Sequence, residues 1–174
     1  MNHRNDYDSP WKEAIELFFP EFMAFYFSDA ASQIDWKGPV KFLDKEFQQI
    51  VREADHGRVF VDKLVSVKRL IGDEGWIYIH VEVQSQPNRD FPERMFTYYY
   101  RIYDKYRRPV ASMAVLADND PLWKPDCFTR ELFGCEAKFT FPSVKLADYQ
   151  SRLDEILTSE NPFALVTAAH LFTQ

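Results

Sequence analysis

The stretch Ile77-Tyr78-Ile79-His80-Val81-Glu82-Val83-Gln84-Ser85 carries the clearest structural signal of the chain, because apolar and polar residues alternate along it without a break. Strict alternation predicts a β-strand, since successive side chains of a strand point to opposite faces of a sheet. The apolar residues then form one face, and the other face carries a carboxylate and an amide close together, from Glu82 and Gln84. The end of this strand is therefore the first place to look for chemistry.

The residues before this stretch predict its partner strand. Residues 58–70 are rich in Val and contain one acid, Asp62. The sequence Gly72-Asp73-Glu74-Gly75 is a turn signal and lies directly before the strand predicted over residues 76–84. The two strands are therefore predicted to form an antiparallel hairpin that brings Asp62 towards Glu82.

The register of this hairpin decides whether the two acids meet, because directly opposed residues of an antiparallel pair share a face. A loop of three or five residues centred on Asp73 places Asp62 opposite Gln84 and diagonal to Glu82. A two-residue loop shifts the register by one residue and sends Asp62 to the other face, unless a bulge intervenes. We predict the odd-length loop or a bulge.

The remaining elements are predicted from hydrophobic spacing, turn residues and prolines. A first helix is expected from Ser9 and Pro10, with a kink or a break at Pro20. Residues 29–40 are expected to be irregular, and residues 41–54 to hold a short helix or a strand. Further on we expect a helix over residues 91–106, a buried strand over 110–117, one or two strands over 135–145, and helices over 146–157 and 162–172. This order predicts a mixed α/β domain.

Length and composition favour one folded unit, with residues 1–8 as a flexible polar leader and residues 9–174 as a single domain. Hydrophobic residues make up 46% of the chain and aromatic residues 17%, which argues against disorder over most of its length. The net charge of -6 argues against a surface coated with positive charge for nonspecific nucleic-acid binding. Two cysteines, no apolar signal segment and no run of about 18 apolar residues predict a cytoplasmic location without membrane contact.

The last helix, predicted over residues 162–172, is apolar on most sides. A helix of this kind needs a partner that buries it. Three arrangements remain open at this point. The helix packs on its own domain, it forms a homodimer interface with a second copy, or the chain is a shortened version of a longer protein.

The acids of the hairpin suit the hydrolysis of a phosphodiester, which needs charge neutralisation and an activated water. A Mg²⁺ ion supplies both, and as a hard cation it binds carboxylate oxygens. We expect Asp62 and Glu82 to be its ligands, with the carbonyl of Val83 as a third, and Mn²⁺ to be a substitute ion. Gln84 is expected to orient the attacking water or to touch the phosphate, but its amide cannot act as a cation or as a general acid.

These residues resemble the PD-(D/E)XK nuclease superfamily, with Gln84 in the place of the usual Lys. More specifically, the chain resembles the recombination-promoting nuclease family, also described as YhgA-like transposases, over roughly residues 6–150. The likeness rests on Trp11-Lys12-Glu13, on Asp62 followed by Glu82-Val83-Gln84, and on Arg94 and Tyr98 in the next helix. It implies a restriction-endonuclease-like core, in which a central mixed β-sheet carries the acidic hairpin and is flanked by helices. Longer members of the family continue past the position of Gln174 with a helical region.

Two further acids and one histidine have a functional and a structural interpretation. Glu13 is the expected third acid of the site, Glu46 is its competitor, and the alternative for Glu13 is a solvated helix face. His80 shares the face of Glu82. For this histidine, a neutral imidazole packed under the flanking helix is favoured over a catalytic base.

The helix after the hairpin carries the candidates for nucleic-acid binding, Arg94, Tyr98 and Arg101. Arg94 and Tyr98 are four residues apart, so they lie on one helix face. The alternative for them is a structural pair that packs the helix on the sheet. Arg101 begins the densest basic cluster of the chain, which suits contact with a phosphate backbone or with the negative end of the helix dipole.

The leading hypothesis is a Mg²⁺-dependent endonuclease that cleaves DNA, of the kind associated with recombination or transposon-like elements. Its catalytic residues are expected to be Asp62, Glu82, Gln84 and Glu13. The main alternative is an inactive nuclease-fold module that binds DNA or protein, favoured by the Gln in place of Lys and by the acidic net charge. A weaker alternative is a small-molecule enzyme that uses the acids as general acid and base, which requires a closed pocket.

Overall fold

The computed structural model describes residues 8–52, 61–71 and 76–173. The strands in these residues are β1 (Lys41–Phe42), β2 (Val61–Lys68), β3 (Trp76–Gln84), β4 (Val110–Leu116), β5 (Cys127–Leu132), β6 (Cys135–Thr140) and β7 (Ser143–Lys145). The α-helices are α1 (Asp8–Leu17), α2 (Phe19–Tyr26), α3 (Ser28–Ala31), α4 (Asp44–Arg52), α5 (Phe91–Tyr106), α6 (Leu153–Leu157) and α7 (Pro162–Phe172). A 3₁₀ helix, Leu146–Arg152, precedes α6.

The chain is an α/β protein with a five-stranded mixed sheet in the order β1-β2-β3-β4-β7. Strands β1, β2 and β3 pair antiparallel, whereas β3, β4 and β7 pair parallel. The parallel pair β3–β4 requires a crossover, and α5 provides it. Strands β5 and β6 form a separate antiparallel hairpin.

Helices cover both faces of the sheet. On one face, α1, α2 and α7 pack with the apolar residues of β2, β3 and β4 in the largest core cluster, which includes Ile15, Phe22, Val81, Val115 and Phe163. On the other face, α4 and α5 pack over β2, β3 and β4 in two smaller clusters. The central strand β3 is therefore covered by helices on both sides.

Several predicted elements are confirmed at the residue level. Strand β3 and helix α5 have the predicted bounds, and so does α7. The predicted break at Pro20 is also confirmed: α1 ends at Leu17, and α2 begins at Phe19 with Pro20 in its first turn. The undecided segment after Val40 contains both a short strand, β1, and a helix, α4. The turn predicted at residues 72–75 lies outside the described residues, as does most of the leader.

Two local predictions are wrong, and strand β5 lies in a stretch for which the sequence pattern predicts no element. The irregular stretch predicted over residues 29–40 is wrong at its start, which belongs to the short helix α3, and the helix expected to begin at Leu146 starts as a 3₁₀ helix before α6. All three are short or lie at the periphery of the sheet, where the hydrophobic pattern is weak and neighbouring elements decide the backbone conformation.

Helix α7 packs on its own domain, the first of the three arrangements considered for it. The side chain of Phe163 is fully buried against Trp11, Phe22 and Tyr26, and Tyr26 hydrogen-bonds Thr167 at 2.7 Å. In the part of the chain that the structure describes, no helix has the length and apolar character needed to span a membrane.

Candidate functional site

The hairpin brings the two predicted acids into register. Asp62 of β2 pairs directly with Glu82 of β3, in an unbroken ladder that runs from Val61–Val83 to Lys68–Trp76. Directly opposed residues share a sheet face, so the prediction that both acids lie on one face is confirmed. The finer prediction, that Asp62 faces Gln84, is wrong by two residues, because Asp62 faces Glu82 instead. The side chain of Asp62 lies outside the described part of the structure.

Glu82 is fully buried, which a polar residue on an open hairpin face would not be. Its Oε1 accepts hydrogen bonds from Nε of Arg94, at 3.0 Å, and from Nη2 of the same residue. Its Oε2 is buried and has no hydrogen-bond partner among the described residues. Helix α5 therefore supplies the cation that makes burial of this carboxylate tolerable, and one oxygen of the carboxylate remains without a partner there.

Gln84 is also buried, with 3% of its surface exposed. Its Oε1 accepts a hydrogen bond from Nη2 of Arg94 at 2.7 Å, and its Nε2 donates to the carbonyl of Gln86 at 2.6 Å. These two bonds fix which way the amide points. Arg94 thus bridges the Glu and the Gln of the Glu-x-Gln sequence.

Burial raises the pKa of the Glu82 carboxyl, and the charge and hydrogen bonds of Arg94 oppose that rise. The Arg94 guanidinium is only 9% exposed, stays charged at every physiological pH, and donates two hydrogen bonds to this carboxyl. We therefore treat the pair as ionised, since charge-assisted bonds of this type favour the charged form of both partners.

His80 is a neutral core residue, as the preferred interpretation held. Its side chain is fully buried, and its ring contacts Phe47 and Tyr98 at 5.1 and 5.6 Å between centroids. Its Nδ1 lies 3.3 Å from Oγ of Ser112. Burial, helped by the charge of Arg94, lowers the pKa of His80 to about 3. His80 is therefore uncharged at neutral pH.

The three candidates for nucleic-acid binding have different environments. Arg94 is held by Glu82 and Gln84, and Tyr98 is buried in the core cluster beneath α5. Arg101 is half-buried and donates to the carbonyl of Ile50 at 3.0 Å. The first two therefore pack α5 on the sheet. Exposed basic residues lie in the last turn of this helix, at Lys105, and just beyond it, at Arg107 and Arg108; Arg107 pairs with Asp104.

Glu13 and Glu46 are both exposed. Glu13 belongs to α1, which packs on the sheet face opposite to Glu82. Glu16, also of α1, pairs with the buried Lys63 of β2, and Lys63 also donates to Asp44 at 2.5 Å. The hydrogen bond from Lys63 lowers the pKa of Glu16, while burial raises that of Asp44.

Sequence reasoning missed the cluster of Lys63, Glu16 and Asp44, and it also missed a second buried ion pair. The sequence does contain a signal for the first of these. Lys63 is a lone cation on the apolar face of β2, between Val61 and Val65, and a charge in that position needs a buried counter-charge. The second pair joins Lys145 of β7 to Asp118 at 2.5 Å. The two residues meet because the ends of β4 and β7 lie side by side in the sheet. No local spacing in the sequence indicates that pairing.

A divalent cation fits part of this arrangement. The Cβ atoms of directly opposed strand residues lie about 5 Å apart, a spacing at which two acids can bind one ion, and Oε2 of Glu82 has no hydrogen-bond partner among the described residues. Val83 pairs with Val61 on one side and Val115 on the other, and a carbonyl in such a ladder keeps one lone pair. Among the described side chains, no three His, Cys, Asp or Glu residues cluster as a metal site.

Comparisons of the chain with protein-family models, with curated proteins and with solved structures gave no match. The chemistry of the site therefore rests on its own residues. These residues are Asp62 and Glu82, which pair directly, Gln84 with its buried amide, and Arg94. The guanidinium of Arg94 connects Glu82 with Gln84.

Proposed function

We propose that this protein is a metal-dependent DNA endonuclease of the PD-(D/E)XK type, which hydrolyses phosphodiesters and belongs to the kind associated with recombination or transposon-like elements. The observation that carries the proposal is the direct pairing of Asp62 with Glu82 near the end of the hairpin, together with the buried Oε2 of Glu82, which has no hydrogen-bond partner in the described part of the chain. An orphaned carboxylate oxygen in the interior is unfavourable unless something binds it. A divalent cation is the ligand that two opposed carboxylates suit best.

The architecture is compatible with the restriction-endonuclease-like core that the sequence resemblance implies. A central mixed sheet carries the acidic hairpin, helices cover both of its faces, and α5 connects the hairpin to a parallel neighbour strand. The acids lie towards the open ends of β2 and β3, away from the turn that joins the two strands. A site at strand ends is more accessible to a long substrate than one at the middle of a sheet.

Each residue has a defined part in this proposal. Asp62 and Glu82 would hold Mg²⁺ or Mn²⁺, with the Val83 carbonyl as a further ligand. When bound, the ion would supply a nucleophilic water and neutralise the charge of the phosphate. Gln84 keeps one N–H beyond the bond to Gln86, and this donor would orient the water or the phosphate. Glu13 has the least support, since α1 covers the opposite face.

Contact with DNA would involve the exposed end of α5. Arg107 follows Arg94 by thirteen residues, which corresponds to about 20 Å along a helix axis. The exposed Lys105 and Arg108 flank it. A phosphate backbone that runs along α5 would therefore meet the site at one end and positive charge at the other.

One observation favours the second candidate, a nuclease-fold module without activity. Arg94 already neutralises Glu82, and both ends of the Gln84 amide are occupied by internal hydrogen bonds. A site with this internal pairing is stable without metal. An inactive module would bind DNA or a protein partner equally well in the presence of a chelator.

The deciding experiment is the nicking of supercoiled plasmid in Mg²⁺, Mn²⁺, Ca²⁺ or EDTA. We compare the wild type with Asp62→Asn and Glu82→Gln, which remove the charge of each acid and keep its size. The matched control is Glu136→Gln, the same change at an exposed position of β6. We expect nicking that needs Mg²⁺ or Mn²⁺, disappears in both site variants and is retained in the control.

Circular dichroism and urea unfolding first establish that each variant is folded. A folded wild type that binds plasmid in EDTA and never nicks it would reject the nuclease and support the inactive module. Nicking that survives in both folded site variants would place the activity elsewhere in the preparation. Isothermal titration with Mn²⁺ separates loss of the metal site from loss of DNA binding.

A further inference from the structure

The β5–β6 hairpin ends in a tight turn whose first residue is an aromatic in an unfavourable backbone conformation. Leu132 pairs with Cys135, so the loop between the strands consists of Phe133 and Gly134 alone. Both loop residues have positive φ, 53° for Phe133 and 79° for Gly134, as a type I′ turn requires. Glycine adopts such a φ freely, but a bulky residue is strained there, and Asn is preferred at the first position.

The tip of the hairpin, formed by Leu132 and Phe133, is apolar and lies in water. The side chain of Phe133 is 99% exposed, and that of Leu132 is 64% exposed. A ring in water adds nothing to the core, and the turn itself would favour another residue at this position. A strained and fully exposed aromatic residue is therefore best explained by a partner that buries it.

The tip extends beyond the edge of the five-stranded sheet where β3 ends. Near the base of the hairpin, Phe139 contacts Tyr99 in the middle of α5, with ring centroids 4.7 Å apart. Nearer to the tip, Arg130 pairs with Glu93 in the first turn of that helix, at 3.0 Å. The hairpin therefore runs towards the start of α5, which follows the end of β3. Phe133 is three residues past Arg130 and lies about 10 Å further along.

An apolar cavity lies at the opposite edge of the sheet, where β3 and β4 begin. It is on the sheet face of α1, α2 and α7, it is open to solvent, and its volume is about 240 Å³. A cavity of about 150 Å³ is enough to hold a benzene ring. The exposed Leu70 and Ile71 directly follow one of its lining residues and extend the apolar surface. The apolar lining includes Ile34, Ile77, Val110, Ala111 and Met113.

The cavity and the hairpin carry opposite charges next to their apolar parts. The polar residues of the cavity lining are Gln33 and Arg69, and the exposed guanidinium of Arg69 donates to the Gln33 side chain at 2.9 Å. At the hairpin, Glu131 is exposed directly before the tip, whereas the cation that precedes it, Arg130, is paired with an acid of α5. A positive charge beside the cavity and a negative charge beside the tip are complementary.

We propose that Phe133 of one copy inserts into the cavity of a second copy, so that the protein associates head to tail. The ring then leaves water for an apolar cavity of sufficient size, and Glu131 meets Arg69 of the neighbouring copy. The tip and the cavity lie at opposite edges of the sheet, so a chain cannot fill its own cavity. A contact between two different surfaces is heterologous, and it leaves a tip and a cavity for further copies. The association does not depend on the proposed nuclease activity.

The contact is small, which determines how it should be measured. An aromatic side chain buries about 150–250 Å², whereas a stable interface buries about 800 Å² on each partner. Leu132 at the tip, and Leu70 and Ile71 beside the cavity, add apolar area to the contact. We therefore expect a reversible association that increases with protein concentration.

Sedimentation velocity over a range of concentrations measures this association. The wild type is compared with Phe133→Asn, which removes the ring, and with Arg69→Glu, which reverses the charge beside the cavity. The matched controls are Leu17→Asn and Lys45→Glu, changes of the same two kinds at exposed residues of α1 and α4. The wild type and both controls should associate as the concentration rises, and each of the other two variants should lose about tenfold or more in association constant. A wild type that stays monomeric at every concentration would overturn the proposal.

A mixture of the two interface variants tests the head-to-tail arrangement itself. The Phe133→Asn protein keeps its cavity and the Arg69→Glu protein keeps its tip, so an equimolar mixture should form dimers with one copy of each and nothing larger. A two-fold symmetric interface cannot give this result, because no pair of copies in the mixture would then have an intact contact. Adding Glu131→Arg to Arg69→Glu should restore self-association by exchanging the two charges. A mixture that stays monomeric would overturn the proposal.

Urea unfolding at low concentration separates loss of association from loss of the fold. We expect Phe133→Asn to raise the folding equilibrium constant by about fivefold, because Asn adopts positive φ more readily than Phe. A residue that supports its own fold would give the opposite sign. A Phe133→Asn protein less stable than the wild type would therefore show that the ring acts within its own copy, and it would overturn the proposal.

Discussion

The two faces of β3 are buried to the same degree but by different chemistry. Ile79, Val81 and Val83 pack into the apolar cluster under α1, α2 and α7, whereas His80, Glu82 and Gln84 lie under α4 and α5. On both faces these side chains are at most 3% exposed. Alternation of apolar and polar residues thus predicts the strand and its two faces, but it does not predict that the polar face meets water.

The difference lies in what each face requires from its neighbours. An apolar side chain is stabilised by any close-packed apolar surface, because the hydrophobic effect has no direction. Each polar side chain of the other face needs a particular atom from another element: Arg94 from α5 for Glu82, and Ser112 from β4 for His80. Changes on the polar face should therefore depend on charge and pH, and changes on the apolar face only on volume.

The largest effect is expected for Arg94→Met, which removes the counter-charge of Glu82 and keeps most of the side-chain volume. Breaking a buried pair from one side costs about 3–5 kcal/mol in the free energy of unfolding. Burial already raises the pKa of Glu82 and Arg94 opposes that rise, so without Arg94 the folded-state pKa lies further above the unfolded value. The loss should therefore be greatest at alkaline pH and smaller below that raised pKa, as urea unfolding at pH 8 and pH 5 would measure.

The control for this prediction is the double variant Glu82→Met with Arg94→Met. Replacing both members of a buried pair by apolar residues of similar size is often close to neutral, so we expect this protein to be more stable than Arg94→Met alone. A double variant that is no more stable than the single one would show that Arg94 acts through packing and not through its charge.

The same contrast explains what the sequence could and could not predict. The bounds of β3 and α5 follow from local signals: strict alternation in the strand, and Pro92 in the first turn of the helix. The shared face of Asp62 and Glu82 follows from the parity of the hairpin register. The cation that pairs with both Glu82 and Gln84 comes from α5, and the docking angle of that helix depends on the whole core. Local patterns therefore locate the acids but not their burial or their cation.

An intermediate effect is expected for His80→Phe, which keeps a ring against Phe47 and Tyr98 and removes the titrating group. In the folded protein the pKa of His80 is lowered to about 3, against 6.5 in the unfolded chain. Between these values the unfolded chain binds the proton and the folded protein does not, so wild-type stability falls as the pH falls. We expect the variant to gain on the wild type by up to about 1.4 kcal/mol per pH unit below pH 6.5.

Urea unfolding of both proteins at pH 7, 6, 5 and 4 measures this difference. The loss of the contact with Ser112 shifts the variant by the same amount at every pH, so only the slope is diagnostic. Parallel curves for the two proteins would mean that His80 takes up its proton in the folded state as readily as in the unfolded chain. The interpretation of His80 as a neutral, buried imidazole would then be wrong.

The smallest effect is expected for Ile79→Val, the neighbour of His80 on the apolar face. The change removes one methylene group from a fully packed position and should cost about 0.5–1.5 kcal/mol in the free energy of unfolding. Because its neighbours in the core cluster are apolar, this cost should be the same at pH 7 and at pH 4. Urea unfolding at both pH values measures this cost, in parallel with the measurements on His80→Phe.

A loss of stability that changes with pH would mean that repacking on the apolar face displaces Glu82 or His80, since these are the groups of β3 that respond to protons. The two faces would then act as one unit through the backbone of β3, and the acidic site would be sensitive to changes throughout the core.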